Sequence, residues 1–129
     1  MNHFREIAYL SAIARPDVAV VINIGTMHIE HLGSVEGILQ AKMEILEGMD
    51  PNGKLLLNGD DTKLWLCAQA AGRNTGYFGT DNGKCHIQAT DVAQTPGMLR
   101  FWVRSEDRAF PVLGAHPNCL LYTSPSPRD

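Results

Sequence analysis

The sequence predicts an α/β fold in which parallel strands alternate with helices and a small antiparallel section follows. The apolar run Val18–Ile24 has no period-2 alternation, which is typical of a strand buried on both faces in a parallel sheet. The segment Ser34–Met49 has the apolar periodicity of a helix. Residues 86–92, 98–103 and 109–112 are strand-like runs separated by turn residues, which predicts antiparallel strands.

The remaining elements are shorter. In chain order they are a helix at about Phe4–Ala14, a turn at Pro51–Lys54, a strand at Leu55–Leu57, a helix at about Thr62–Ala71 and a strand near Thr75–Phe78. Arg15 and Pro16 end the first helix, because the residue before a proline disfavours helical geometry. Asp60 or Asp61 could cap the helix that follows them, since aspartate accepts hydrogen bonds from the free N–H groups at a helix start.

Lys42 lies near the middle of the apolar stripe of the central helix, between Ile38 and Ile45. A buried ammonium is unfavourable unless it is paired, neutralised or chemically changed. One interpretation is a packing lysine whose stem is buried while its ammonium reaches water. The other is a functional lysine. Ligands of open α/β sheets bind at the carboxyl ends of strands, so His28, in the loop after the first strand, could share a crevice with Lys42.

Two other motifs resemble binding sites only in part. His28 and His31 suggest zinc, but the three cysteines are scattered and have no zinc-ligand spacing. The segment Gly48–Lys54 has the glycine and lysine spacing of a phosphate-binding P-loop. However, Leu55 stands where Ser or Thr would bind Mg²⁺, and a helix precedes the segment instead of following it. The sequence therefore contains no P-loop.

Composition restricts the class of protein. The net charge of −3 and the lack of basic runs argue against a nucleic-acid partner. No apolar run approaches the roughly 18 residues of a membrane span. Cysteines without pairing spacing fit a reducing cytoplasm. From about Cys119 the chain is rich in Ser and Pro without periodicity, so we expect residues 119–129 to be a disordered, non-native tail.

Four motifs together resemble the central, ATP-binding domain of the Mur ligases. They are Asn23-Ile24-Gly25-x-x-His28, Leu32-Gly33-Ser34, Ala41-Lys42-x-Glu44-Ile45 and Asn58-Gly59-Asp60-Asp61. The opening Met1–His3 is most similar to the family member that adds D-alanyl-D-alanine to UDP-N-acetylmuramoyl-tripeptide. The resemblance implies that residues 1–118 are part of a P-loop-type domain that lacks its P-loop, and that this chain alone is an inactive fragment.

The resemblance also implies the chemistry and its residues. These ligases use ATP to activate a carboxylate as an acyl phosphate, which an amine then attacks to form an amide. Lys42 would be carbamylated, and its carbamate would hold Mg²⁺ together with His28. The implied nucleotide contacts are Asn58, Asp60 and His116, and the implied substrate contacts are Asn2 and His3. The full enzyme would be a cytoplasmic monomer without a nucleic-acid or membrane partner.

Two alternatives remain open at the level of sequence. Another Mur-type ligase or folylpolyglutamate synthase shares the fold and the chemistry. A non-catalytic α/β binding module would retain the scaffold without the reaction.

Overall fold

The computed structural model describes residues 3–25, 29–67 and 70–114. The chain divides into two compact units, Met1–Cys85 and His86–Asp129. The described helices, all in the first unit, are α1 (Glu6–Ala14), α2 (Ile29–Leu32), α3 (Val35–Met43), α4 (Ile45–Gly48) and α5 (Thr62–Trp65). The strands are β1 (Val18–Val21), β2 (Lys54–Asn58) and β3 (Asn74–Gly79) in the first unit, and β4 (Ile87–Thr95), β5 (Met98–Arg104) and β6 (Ala109–Gly114) in the second.

The first unit contains the predicted parallel sheet. Strand β2 lies in the middle, with Lys54 beside Val18 of β1 and beside Asn74 of β3, and both pairings are parallel. The carboxyl ends of the three strands therefore lie along one edge. Leu55 and Leu57 on β2 are completely buried and belong to the core.

Strand β1 differs from its prediction in burial and in length. Ala19 and Val21 are buried, whereas Val18 and Val20 are 56% and 50% exposed. The expectation of a strand buried on both faces is wrong, because burial alternates along β1 and one face remains about half exposed. Regular pairing ends at Val21, and the chain continues irregularly to Gly25, whose φ of +64° suits glycine.

The predicted helix Ser34–Met49 is divided into α3 and α4 at Glu44. Ser34 begins α3 as expected, since its hydroxyl accepts a hydrogen bond from the Gly37 N–H at 3.0 Å. The buried Glu44 carboxylate turns toward the start of α1, where it accepts hydrogen bonds from the N–H groups of Arg5 (2.8 and 2.9 Å) and Ala8 (3.3 Å). An anion here satisfies free N–H groups at the positive end of the helix dipole.

Two short helices also depart from expectation. The helix predicted at Thr62–Ala71 is regular only to Trp65, and Leu66 is 72% exposed. Beyond Trp65 the described residues Cys67 and Ala70 are buried in the core, but they are not part of the helix. Helix α2 lies in a segment for which the sequence predicts a loop. The Trp65 ring packs on Tyr77 of β3 at a centroid distance of 4.7 Å, which holds α5 against the sheet.

The second unit is the predicted antiparallel section. Strand β5 pairs with β4 on one side and β6 on the other. Gly97, with φ of +80°, lies in the turn between β4 and β5. The register shifts between Thr90 and Ala93, where Asp91 has a φ of +53°, so β4 contains an irregularity that the sequence did not indicate. Trp102 on β5 is 43% exposed.

Candidate functional site

The carboxyl end of β1 receives the side chain of Lys42 from α3. Its ammonium nitrogen donates to the carbonyl oxygens of Asn23 at 2.6 Å and Ile24 at 3.0 Å. The side-chain Oδ1 of Asn23 lies 3.4 Å from the same nitrogen. Lys42 thus combines a partly buried stem with an ammonium held by three protein oxygens, at the sheet edge where the sequence predicted a site.

Burial changes the acid–base chemistry of this lysine. It lowers the pKa of the Lys42 ammonium below its ordinary value of 10.5, and the Asp61 carboxylate opposes part of that shift. A lowered pKa makes the neutral amine, the nucleophilic form, more accessible. The arrangement can therefore both hold a cation and present an amine for reaction.

Asp61 joins the end of β1 to the start of α5. Its Oδ2 accepts a hydrogen bond from the Ile24 N–H at 2.8 Å, and its Oδ1 accepts from Lys63 N–H at 3.0 Å and Leu64 N–H at 3.3 Å. This confirms that an aspartate of the Asn58–Asp61 motif caps the helix and identifies Asp61 as the cap. Asp61 also fixes the backbone whose carbonyls hold Lys42.

Asp60 holds a turn at the carboxyl ends of β2 and β3. Its carboxylate accepts hydrogen bonds from Thr80 N (2.6 Å), Thr80 Oγ1 (3.0 Å), Asp81 N (3.0 Å) and Asn82 N (2.8 Å). Partial burial opposes ionisation, but these hydrogen bonds outweigh it, so the pKa of Asp60 lies below its ordinary value of 3.8. Asn58 Oδ1 accepts from the Asp60 N–H at 2.9 Å. Asn58 and Asp60 thus have partners within the chain, and their contacts with nucleotide stay predictions.

Gly59 has no space for a side chain. A Cβ added there would lie 2.3 Å from Cys85 Sγ, far inside normal contact. Packing against Cys85 therefore favours glycine at this position.

The other predicted site residues are distributed unevenly. His28, Asn2 and His116 lie outside the described residues. His3 is exposed, with its Nδ1 3.1 Å from Glu6 Oε1 and its ring centroid 5.9 Å from that of His31 on α2. The fold therefore brings His3 near α2, the helix that follows His28 in the sequence. Among the residues that the structure describes, no three His, Cys, Asp or Glu side chains converge as a metal site.

An open groove of about 410 Å³ leads to Lys42. Its lining residues are Ile7, Val20, Val21, Ile22, Asn23, Lys42 and Ile45. A groove of this size admits a small molecule, so the lysine can be reached from solvent.

Sequence reasoning did not assign a site role to Asn23 or a link to β1 for Asp61. Asn23 interrupts an otherwise apolar run at the end of a predicted strand, and that interruption is the signal that could have identified it. The bond from Asp61 to Ile24 N–H has no comparable signal, because any residue other than proline supplies a backbone N–H.

Comparison with known proteins assigns the family. The Mur ligase middle domain matches residues 1–117. The chain belongs to the Mur ligase family. This confirms the resemblance drawn from the four motifs.

Two similar relatives from different bacteria share one name. The UDP-N-acetylmuramoyl-tripeptide--D-alanyl-D-alanine ligase of Bacillus subtilis is 38% identical over 113 residues, which are 86% of this chain and 24% of the relative. The Escherichia coli ligase of that name is 31% identical over 121 residues, 89% of this chain and 26% of the relative. The chain thus spans about a quarter of these Mur ligases.

A solved structure supports the same placement. The MurF ligase from Thermotoga maritima, in complex with ADP, matches with a TM-score of 0.75 and 31% identity. The match covers 87% of this chain and 26% of that one. It confirms the predicted α/β fold of a Mur ligase central domain.

Proposed function

We propose that this chain is central-domain sequence of an ATP-dependent ligase of peptidoglycan precursor synthesis. The enzyme would join D-alanyl-D-alanine to UDP-N-acetylmuramoyl-tripeptide. The 38% identity to the Bacillus subtilis ligase of that name carries the proposal. ATP as the cofactor is supported by the ADP complex of the Thermotoga maritima relative.

The proposed role of Lys42 is to react with carbon dioxide and become a carbamate. Its lowered pKa favours the reactive neutral amine, and the groove gives access. The oxygens of Asn23 and Ile24 already hold a cation at this point, and Mg²⁺ prefers oxygen ligands, so the local chemistry fits magnesium. In the proposal the Lys42 carbamate and His28 hold the ion.

The chemistry follows from charge. When bound, Mg²⁺ would neutralise negative charge on the phosphoryl group transferred from ATP. The substrate carboxylate would accept the terminal phosphoryl group of ATP, forming an acyl phosphate and releasing ADP. The amine of D-alanyl-D-alanine would then attack the acyl carbon, forming the amide and releasing phosphate and a proton. The residues assigned to nucleotide are Asn58, Asp60 and His116, and those assigned to substrate are Asn2 and His3.

The proposal also includes the surroundings of the enzyme. Among the described residues, Cys67 and Cys85 are not joined in a disulfide, which fits a reducing cytoplasm. Among the described residues, no helix is long and apolar enough to cross a membrane. We propose a monomer that needs neither nucleic acid nor membrane.

The test extends the gene region on both sides of this sequence and assays the expressed protein. We expect ADP release that requires both UDP-N-acetylmuramoyl-tripeptide and D-alanyl-D-alanine. Lys42→Arg should lose several orders of magnitude in kcat, because guanidinium cannot be carbamylated and remains a cation beside Mg²⁺. A short-chain carboxylic acid should partly restore Lys42→Ala. Near-normal turnover of Lys42→Arg would contradict the carbamate, and turnover without D-alanyl-D-alanine would contradict the substrate.

The 129-residue chain gives a second test. Its sequence has no P-loop, so it should show no ligase activity and only weak nucleotide binding. Micromolar binding of MgATP, measured by calorimetry on this chain, would contradict that expectation.

A further inference from the structure

We propose that Asn23 is a positioning residue that holds Lys42 in two chemical states. Its amide oxygen faces the ammonium in the structure. After the amide turns over, its nitrogen would donate a hydrogen bond to the carbamate. This inference rests on the proposed carbamylation of Lys42.

The ammonium and the carbamate of Lys42 differ in the number of N–H groups, so each needs different hydrogen-bond partners. An ammonium has three N–H groups, and the Lys42 nitrogen has three acceptors within 3.4 Å, two on Asn23 and one on Ile24. In carbamylation the ammonium loses a proton, the amine nitrogen bonds to the carbon of CO₂, and a second proton leaves. The product nitrogen keeps one N–H and gains a carboxylate that carries two acceptor oxygens. Surroundings made only of acceptors suit the ammonium and lack a donor for the carbamate.

Asn23 is the contacting residue that can supply the donor. The two backbone carbonyls can only accept hydrogen bonds. The nearby Ile24 N–H already donates to Asp61 Oδ2 at 2.8 Å, so this stretch of backbone is fixed. The side-chain amide of asparagine carries an oxygen and an NH₂ group on the same carbon, and an amide flip exchanges their positions.

The surroundings of the Asn23 side chain allow this amide flip. The residue is exposed, and its amide makes no hydrogen bond with the described part of the chain other than the one to Lys42. That bond is long at 3.4 Å, so little stabilisation is lost when it breaks. After the turn, the NH₂ would occupy the place of Oδ1. The carbamate oxygens are two bonds from the lysine nitrogen and would lie within its reach.

The experiment measures carbamate on the 129-residue chain by ¹³C NMR with ¹³C-bicarbonate and Mg²⁺. Lys42→Arg identifies the Lys42 signal by removing it. Asn23→Ala removes the donor without adding charge, and we expect carbamate occupancy to fall on the order of tenfold, as for a hydrogen bond to a charged group. Asn23→Asp should lower it at least as far, since it adds an anion. Asn52→Asp, the same change in an exposed turn, is the matched control and should leave occupancy unchanged.

A second measurement needs no variant. In the ¹⁵N-labelled wild-type chain, the side-chain NH₂ resonance of Asn23 should shift as bicarbonate is added. The bicarbonate concentration at the midpoint of this shift should equal the concentration at which the Lys42 carbamate signal is half complete. Wild-type carbamate occupancy in Asn23→Ala would overturn the inference, even if Asn23→Asp loses the signal, because charge alone would then explain the loss. An unmoved NH₂ resonance would also overturn it. A wild-type chain with no Lys42→Arg-sensitive carbamate would instead contradict the proposed function, and the inference with it.

Discussion

Replacing Asp61 with alanine tests whether one carboxylate connects the end of β1 to α5. The change removes an N-cap, which typically stabilises by about 1 kcal/mol. It also leaves the N–H of Ile24 without its acceptor, and Ile24 is only 3% exposed. An unsatisfied buried N–H typically costs about 1–3 kcal/mol. We therefore expect Asp61→Ala to lower the free energy of unfolding by about 2–4 kcal/mol, a large part of the roughly 5–15 kcal/mol of a typical domain.

The assay is urea unfolding followed by tryptophan fluorescence. In a Trp102→Phe background, Trp65 is the remaining tryptophan, and its packing on Tyr77 makes it report on the first unit. Asp61→Asn keeps one acceptor oxygen and should lose about half as much stability. Asp81→Ala is the control, because Asp81 is exposed and its carboxylate accepts no hydrogen bond among the described residues. A change within about 0.5 kcal/mol for Asp61→Ala, as expected of an ordinary surface substitution, would refute the reasoning.

Two further outcomes follow from packing and charge. Gly59→Ala should lower the free energy of unfolding by about 1–3 kcal/mol, since its Cβ would lie 2.3 Å from Cys85 Sγ. Adding Cys85→Ala should recover part of that loss. Equal stability of Gly59→Ala and wild type in urea unfolding would contradict this prediction. The pKa of Lys42 lies below 10.5 in the folded chain, so the unfolded chain binds more protons between the two pKa values and stability rises with pH across that window. Wild type should accordingly gain stability relative to Lys42→Met as pH rises toward 10.5, and a parallel pair of stability–pH curves would exclude the lowered pKa.

The strands along the chain, and whether each is parallel or antiparallel, could be predicted from sequence because each strand has its own residue pattern. The apolar runs of β1 and β2 and the turn residues between β4 and β5 are local signals. Burial of β1 could not be predicted, because it depends on which elements cover the strand. The break at Glu44 was hidden for a similar reason: its carboxylate caps α1, a helix distant in sequence.

The candidate site shows where local pattern stops being informative. Lys42 could be identified from the sequence because a charged side chain on the apolar stripe of a helix is energetically unfavourable. Two of its three acceptors are backbone carbonyls, which every residue carries, so the sequence could not identify Ile24 as a partner. Asn23 had a signal only in its polar side chain, which interrupts an apolar run. The Asp61 bond to Ile24 N–H was hidden in the same way.

The geometry at the end of β1 brings residues of three of the four motifs together. Asn23 and Ile24 accept hydrogen bonds from Lys42, and Ile24 donates one to Asp61. A displacement of Ile24 would therefore change the position of Lys42 and of the start of α5 together. Two segments far apart in sequence thus depend on one stretch of backbone, and a substitution at Asp61 should change the environment of Lys42 without touching it.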